Sequence, residues 1–228
     1  MQELKIIAKI YTDFPEKFGI PRQSGLVKGA KGTVIFEPEY RSEQALRGLE
    51  GYSHIWLLWG FSKAEREHWS ATVKPPRLGG KKRMGVFATR SPFRPNPIGM
   101  SVVKLEKILM DDKKGPTLMV SGVDMLDGTP VYDIKPYLPY ADSYPEATDG
   151  FAGEVYEHRL KVCFPDHLLK KVPESLRESL TEILQQDPRT AFIDDENRIW
   201  GVSYAGWNVR FSVRGNVLTV CEAEKIHK

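Results

Sequence analysis

Ser101-Val102-Val103-Lys104-Leu105-Glu106-Lys107-Ile108-Leu109-Met110 is followed, across Gly115-Pro116, by Thr117-Leu118-Met119-Val120-Ser121-Gly122-Val123. Both runs are rich in Val, Ile and other large apolar residues, and Gly and Pro separate them, which is the composition of short strands. The same pattern recurs at residues 4–10, 33–36, 54–59, 84–87 and 131–134. Only residues 42–49 read as a helix here, with Ala45, Leu46 and Leu49 on one face and Ser42 as the N-cap. A doubly wound parallel sheet needs a helix between successive strands, so this pattern argues against it. About seven short strands with almost no helix between them suit a closed or nearly closed antiparallel barrel, which hides its own edges.

The last third changes character. Residues 165–186 are amphipathic, with Leu168, Leu169, Val172, Leu176, Leu180, Ile183 and Leu184 at the apolar positions. Pro173 splits this stretch into two helices, because an interior proline removes a hydrogen bond, and Asp187-Pro188 ends it. Trp207, Val209, Phe211 and Val213 alternate with Asn208, Arg210 and Ser212, the signature of a half-buried strand. Arg214-Gly215-Asn216 marks a turn, and residues 217–221 return as a second strand. Residues 141–153, rich in Asp, Ser, Pro and Gly, read as the linker. The expected organisation is a β domain over 1–145 and a small α+β domain over 146–228.

Composition narrows the class. With 10 Phe, 9 Tyr and 5 Trp the chain is too aromatic to be disordered. No apolar run approaches the ~20 residues that cross a bilayer. Met1-Gln2-Glu3-Leu4-Lys5 lacks the basic start and apolar core of a signal peptide. A cytoplasmic location follows as an expectation, with Cys163 and Cys221 as reduced thiols. The net charge of +3 is uneven. Residues 1–145 hold 22 Lys/Arg against 16 Asp/Glu, and residues 146–228 hold 11 against 14. Seven basic residues and no acidic one lie between 74 and 94. Two readings of that run stand: a footprint for nucleic-acid phosphate, or a solvated loop.

Several chemistries have no sequence support. There is no phosphate-binding Gly-rich loop ending in Gly-Lys-Ser/Thr and no dinucleotide-binding glycine turn. The five histidines, His54, His68, His158, His167 and His227, have no metal-ligand spacing, and no metal is expected. His54 reads as a satisfied core group rather than a catalyst. What remains is a stiff polar loop, Arg90-Ser91-Pro92-Phe93-Arg94-Pro95-Asn96-Pro97-Ile98-Gly99-Met100. Each proline fixes φ and constrains its predecessor, so the loop has little entropy left to lose on binding. It can hold Arg90, Arg94 and Asn96 in set directions. Pro21-Arg22-Gln23 reads by itself as a surface turn, and Asp127-Gly128-Thr129-Pro130 as a hairpin turn.

Long motifs in one order carry a more specific message. They are Gly51-Tyr52-Ser53-His54-Ile55-Trp56, Pro75-Pro76-Arg77-Leu78-Gly79-Gly80, then Gly85-Val86-Phe87-Ala88-Thr89-Arg90-Ser91-Pro92-Phe93-Arg94-Pro95-Asn96-Pro97-Ile98-Gly99. The fourth runs from Asp124 through Asp127-Gly128-Thr129-Pro130 to Tyr137. Together they resemble the TrmO (TsaA-like) family of S-adenosylmethionine-dependent tRNA methyltransferases. Gln186-Asp187-Pro188-Arg189 and Trp207-Asn208-Val209-Arg210-Phe211 are similar to the two-domain bacterial members.

The resemblance implies a mainly β fold, a single-sheeted antiparallel β-barrel with a small C-terminal α+β domain. It implies a homodimer with S-adenosylmethionine near the subunit interface. The implied reaction methylates the exocyclic amino nitrogen of threonylcarbamoyl-adenosine beside the anticodon of threonine tRNA. Cofactor contacts are implied at Pro21, Arg22, Gln23, Ser62, Lys63, Arg90, Met100, Asp127, Gly128, Thr129 and Pro130. The hairpin reading of Asp127-Gly128-Thr129-Pro130 thereby becomes a site reading. Methyl transfer from a sulfonium needs alignment, exclusion of water and an exit for a proton. Asn96 can orient the nucleophilic nitrogen, and Asp127 can accept its proton or hold the cofactor. Lys81, Lys82, Arg83 and Arg94 are the candidate tRNA contacts. Two other readings stay open: a non-catalytic RNA-binding barrel, and a methyltransferase with another substrate.

Overall fold

Gly32, Val34 and Phe36 are buried while Lys31, Thr33 and Ile35 between them are not, so the strand Lys31–Phe36 has one inner and one outer face. The computed structural model describes residues 3–63, 68–75, 82–111, 114–153, 159–189 and 195–226. Its first eight strands are β1 (Ala8–Thr12), β2 (Lys31–Phe36), β3 (His54–Gly60), β4 (Thr72–Val73), β5 (Met84–Gly85), β6 (Ile98–Asp111), β7 (Gly115–Ser121) and β8 (Thr129–Pro136). Six of them close into a barrel in the order β1-β2-β7-β6-β3-β8, and every pairing is antiparallel. Ile10, Val34, Ile55, Leu57, Leu118 and Val131 fill the interior at 0% exposure. Six strands, not about seven, make the barrel. The stretch at 84–87 accounts for the difference: β5 pairs with β4 in a separate two-stranded sheet, and Val86–Ala88 turns into a single 3-10 turn. The helix expected over 42–49 is replaced by the 3-10 turns Glu43–Leu46 and Leu49–Gly51, broken at Gly48 with φ +88°.

Antiparallel order fixes where the loops lie. Strands leave and re-enter the barrel at alternate ends, so the connections 13–30, 61–97 and 122–128 share one rim. Connections 37–53 and the one between β6 and β7 belong to the other rim.

The C-terminal part holds β9 (Lys161–Cys163), helices Asp166–Leu169 and Glu174–Gln185 on either side of Pro173, β10 (Trp200–Tyr204), β11 (Trp207–Arg214) and β12 (Val217–Lys225). The sheet order is β10-β11-β12-β9, with β9 parallel to β12. The break at Pro173 and the β11–β12 hairpin agree with the sequence reading, while β9 and β10 add two strands to it. This sheet docks on connection 13–30. Tyr204 packs on Phe14 with centroids 5.1 Å apart, and Trp200 stacks on Phe18 at 6.1 Å. The Ala205 N–H donates to the Asp13 carbonyl at 3.0 Å, and the Lys28 N–H donates to the Glu182 carboxylate at 3.0 Å.

Gly19 sits at the centre of this joint. Its φ of +89° is left-handed, and a Cβ there would lie 2.1 Å from Val202 Cγ2. Gly25 has a similar φ of +77° but open space around a Cβ. Gly25→Ala should therefore cost about 1 kcal/mol of unfolding free energy, from backbone strain alone. Gly19→Ala should add about 1–3 kcal/mol from overpacking. Urea denaturation of both variants measures the difference, and equal losses would refute the tight joint.

Candidate active site

Three rim connections meet around Asp124. The Ser101 hydroxyl donates to its Oδ1 at 2.7 Å, and Trp59 Nε1 donates to that same hydroxyl at 3.0 Å. The Ser24 backbone N–H is a further hydrogen-bond partner of this carboxylate, and the Arg90 guanidinium lends it opposite charge. Burial outweighs these favourable contacts and pushes the Asp124 carboxyl up to about 6. The Trp59 ring needs Gly99 beneath it, because a Cβ at that position would lie 2.3 Å from the indole. Arg90 Nη1 donates to Gln23 Oε1, so the loop that starts at Arg90 touches the Pro21–Gln23 turn within one chain. The Gly25 N–H donates to the Gly122 carbonyl at 2.9 Å and joins connections 13–30 and 122–128.

Asp127-Gly128-Thr129-Pro130 closes the same rim from the other side. It is a turn into β8, as its residue types suggest, and it is pinned to β1. The Thr12 N–H donates to Asp127 Oδ1 at 2.9 Å, the Asp127 N–H to the Phe14 carbonyl at 2.9 Å, and the Gly128 N–H to the Ile10 carbonyl at 2.9 Å. The Thr129 hydroxyl donates to the Leu126 carbonyl at 2.7 Å. Asp127 itself is exposed. Ser62 and Lys63 follow β3 and are exposed, and Lys17 Nζ reaches the Lys63 carbonyl at 2.6 Å. Met100, beside Leu58 in the β3–β6 register, is 54% exposed on the outer wall.

The proline-rich loop is stiffened by its own side chains. The Ser91 N–H donates to Thr89 Oγ1 and the Phe93 N–H to Ser91 Oγ, both at 3.2 Å. Arg94 Nη2 clamps the carbonyls of Val86 and Thr89 at 3.3 and 3.1 Å. Asn96 is exposed, and its side chain makes no hydrogen bond among the described residues. Of the basic candidates, Lys82 is exposed and Arg83 reaches Thr72, with its Nε 2.6 Å from the hydroxyl. Lys81 lies outside the described residues, as do residues 76–80 of the motif before it. His54 is not a core group as expected: it is half-buried near the opposite rim, with a partner in Ser53 at 2.9 Å. Sequence reasoning gave no separate role to Asp124, Ser101 or Trp59. Their chain of hydrogen bonds joins residues 42 and 23 positions apart, which no local pattern encodes.

A filled barrel with a preorganised polar rim is a scaffold for ligand chemistry outside the barrel, carried by loops rather than by a cavity. The family model for the tRNA-methyltransferase O N-terminal domain matches residues 9–143, and that for the TrmO C-terminal domain matches residues 157–226. The tRNA (adenine(37)-N6)-methyltransferase of Escherichia coli is 44% identical over 217 residues, covering 92% of this chain and 91% of that protein. Its human namesake is 43% identical over 132 residues, 57% of this chain and 29% of that protein. A crystal structure of TrmO from Pseudomonas aeruginosa superposes with a TM-score of 0.76 at 35% identity, covering 98% of this chain and 99% of that one. The chain belongs to the TrmO family.

The Asp124 shift has a consequence for stability. Its carboxyl binds a proton more tightly in the folded chain, at about 6, than at the ordinary 3.8. The stabilisation this gives is fully present below about pH 4 and is lost as pH rises through about 6. Asp124→Asn removes the titration, so the wild type should lose of order 2 kcal/mol relative to the variant between pH 4 and 7. Chemical denaturation across that range measures it, and a stability difference constant with pH would refute the assignment.

Proposed function

We propose that this chain, as a cytoplasmic homodimer, methylates the exocyclic amino nitrogen of threonylcarbamoyl-adenosine at position 37 of threonine tRNA, using S-adenosylmethionine. The observation that carries the reading is the convergence on one rim of Gln23, Arg90, Asp124 and the Asp127–Pro130 turn, with Asn96 exposed on the same rim connection as Arg90 and its carboxamide without a hydrogen bond among the described residues. The donor set fits the cofactor. A carboxylate calls for guanidinium, which Arg22 and Arg90 offer; ammonium and hydroxyl groups call for acceptors, which the rim carbonyls offer. Exposed Met100 offers apolar wall. Pro21, Ser62, Lys63, Gly128, Thr129 and Pro130 complete the holding residues.

Bound there, the cofactor supplies a methyl carbon that is already electrophilic. The chain has to orient the nitrogen, exclude water and receive a proton. Asn96 accepts a hydrogen bond from the amino group and aims its lone pair. Thr12 occupies one oxygen of Asp127, and the other is the proton acceptor. Arg94 helps receive the threonyl carboxylate, while Lys81, Lys82 and Arg83 follow tRNA phosphate. The barrel interior is filled, so the cofactor lies outside it, and a second subunit is the natural cover for the wall at Ile98 and Met100, which are 36% and 54% exposed.

Labelled cofactor, threonine tRNA with and without the threonylcarbamoyl group, and mass spectrometry of the nucleosides test the reaction. Label in the base of the modified tRNA is expected, and none in any tRNA overturns the reading. Asn96→Ala should lower kcat at least about 100-fold while the cofactor Kd stays near the wild-type value. Arg90→Ala should instead weaken the cofactor by roughly 10–100-fold, the loss of a charge-assisted hydrogen bond. Normal turnover in Asn96→Ala would remove its role. Full activity in a chain shown by sedimentation to be monomeric would remove the second subunit from the cover of the cofactor.

A further inference from the structure

Among the described residues the β4–β5 hairpin pairs with no barrel strand, and its flanks carry two rings that packing leaves uncovered. Trp69 is 54% exposed and Phe87 75% exposed. Their centroids lie 6.2 Å apart, with planes inclined by only 29°. Neither ring fills a core, yet the backbone under both is fixed. Val86, next to Phe87, is 1% exposed, and its N–H donates to the Ala71 carbonyl at 2.9 Å, tying the two ring-bearing segments together. Arg83 braces the hairpin through Thr72 and Arg94 braces it through Val86. An ordered frame that presents exposed rings loses little entropy when something stacks on them.

The surroundings select the occupant. Residues 68–105 hold eight Lys/Arg and no Asp/Glu. Exposed aromatics within a basic stretch suit an unpaired nucleotide, whose base stacks while its phosphate meets the cations. A second copy of this chain is a poorer occupant, because a two-fold contact would set this basic patch against itself. The location also suits RNA. Phe87 is three residues before Arg90, at most about 11 Å along the chain, and Arg90 touches the Pro21–Gln23 turn. An enzyme that reaches the amino group of a loop adenine must splay that loop and hold the neighbouring bases apart.

We propose that Trp69 and Phe87 form a stacking shelf for an unpaired base flanking the methylated adenine in the anticodon loop. The proposal rests on the tRNA methyltransferase reading above. The probe is an anticodon stem-loop RNA carrying threonylcarbamoyl-adenosine with 2-aminopurine beside it. Wild-type protein should quench the probe by stacking. The Trp69→Ala, Phe87→Ala double variant should abolish the quenching and raise the KM for RNA by roughly 10-fold or more. Its kcat and cofactor Kd should be unchanged, and so should its log–log salt slope, since no charge is removed. Trp69→Phe with Phe87→Tyr should keep most of the quenching. Wild-type quenching and KM in the double Ala variant overturn the shelf alone. A double variant that turns monomeric also overturns it and assigns the rings to a subunit contact. A wild type that binds the cofactor and methylates no tRNA overturns the underlying reading, and the shelf with it.

Discussion

A closed, filled barrel leaves a ligand only the rims and the outer wall. Six antiparallel strands have no free edge to recruit a peptide or another strand. Ile10, Val34, Leu57, Leu118 and Val131 occupy the inside. Alternating strand direction then does the sorting. It sends the connections 13–30, 61–97 and 122–128 to one rim, although they are far apart in sequence. The site is therefore a consequence of strand order before it is a consequence of any particular side chain.

The chain of hydrogen bonds from Trp59 through Ser101 to Asp124 connects that rim to the core. Trp59 is 6% exposed and belongs to the barrel packing, while Asp124 faces the Ser24 amide and the Arg90 charge. A half-buried carboxylate, partly withdrawn from water, is unfavourable unless it is hydrogen-bonded and paired. Here Ser101, Ser24 and Arg90 together only partly offset its desolvation, which is why its proton is held so firmly. Such a group ties the placement of Arg90 to the placement of a core tryptophan.

Residue patterns made the barrel legible because strands that bury one face must alternate or run apolar, and Gly and Pro mark their ends. They misplaced residues 84–87, whose apolar content serves an outlying hairpin anchored by Val86. They also turned 42–49 into a helix, because Leu46 and Leu49 have helical spacing, whereas Gly48 with positive φ breaks the segment into separate turns. The proline-rich loop was visible as a rigid element from its composition alone. The turns at Pro21 and Asp127 looked ordinary by composition, and only family motifs singled them out. Asp124 stayed unassigned for a simpler reason: its burial depends on strands and loops that meet only in three dimensions.

Rim loops as long as 13–30 and 61–97 are costly to order, since each fixed residue loses roughly 1–2 kcal/mol of backbone entropy. Three different devices supply that order. In 89–97 prolines and Ser/Thr side chains restrict the backbone locally. At 122–130 the turn is bonded directly to β1. Connection 13–30 is longer and has two prolines, Pro15 and Pro21, so it depends on the C-terminal sheet. Tyr204 covers Phe14, Trp200 covers Phe18, and Val202 leaves room for Gly19 and nothing larger. The C-terminal sheet thus acts on the candidate site through the loop it buttresses. Loosening that joint frees the segment carrying Gln23, and with it the partner of Arg90, while the six-stranded barrel keeps all of its own hydrogen bonds.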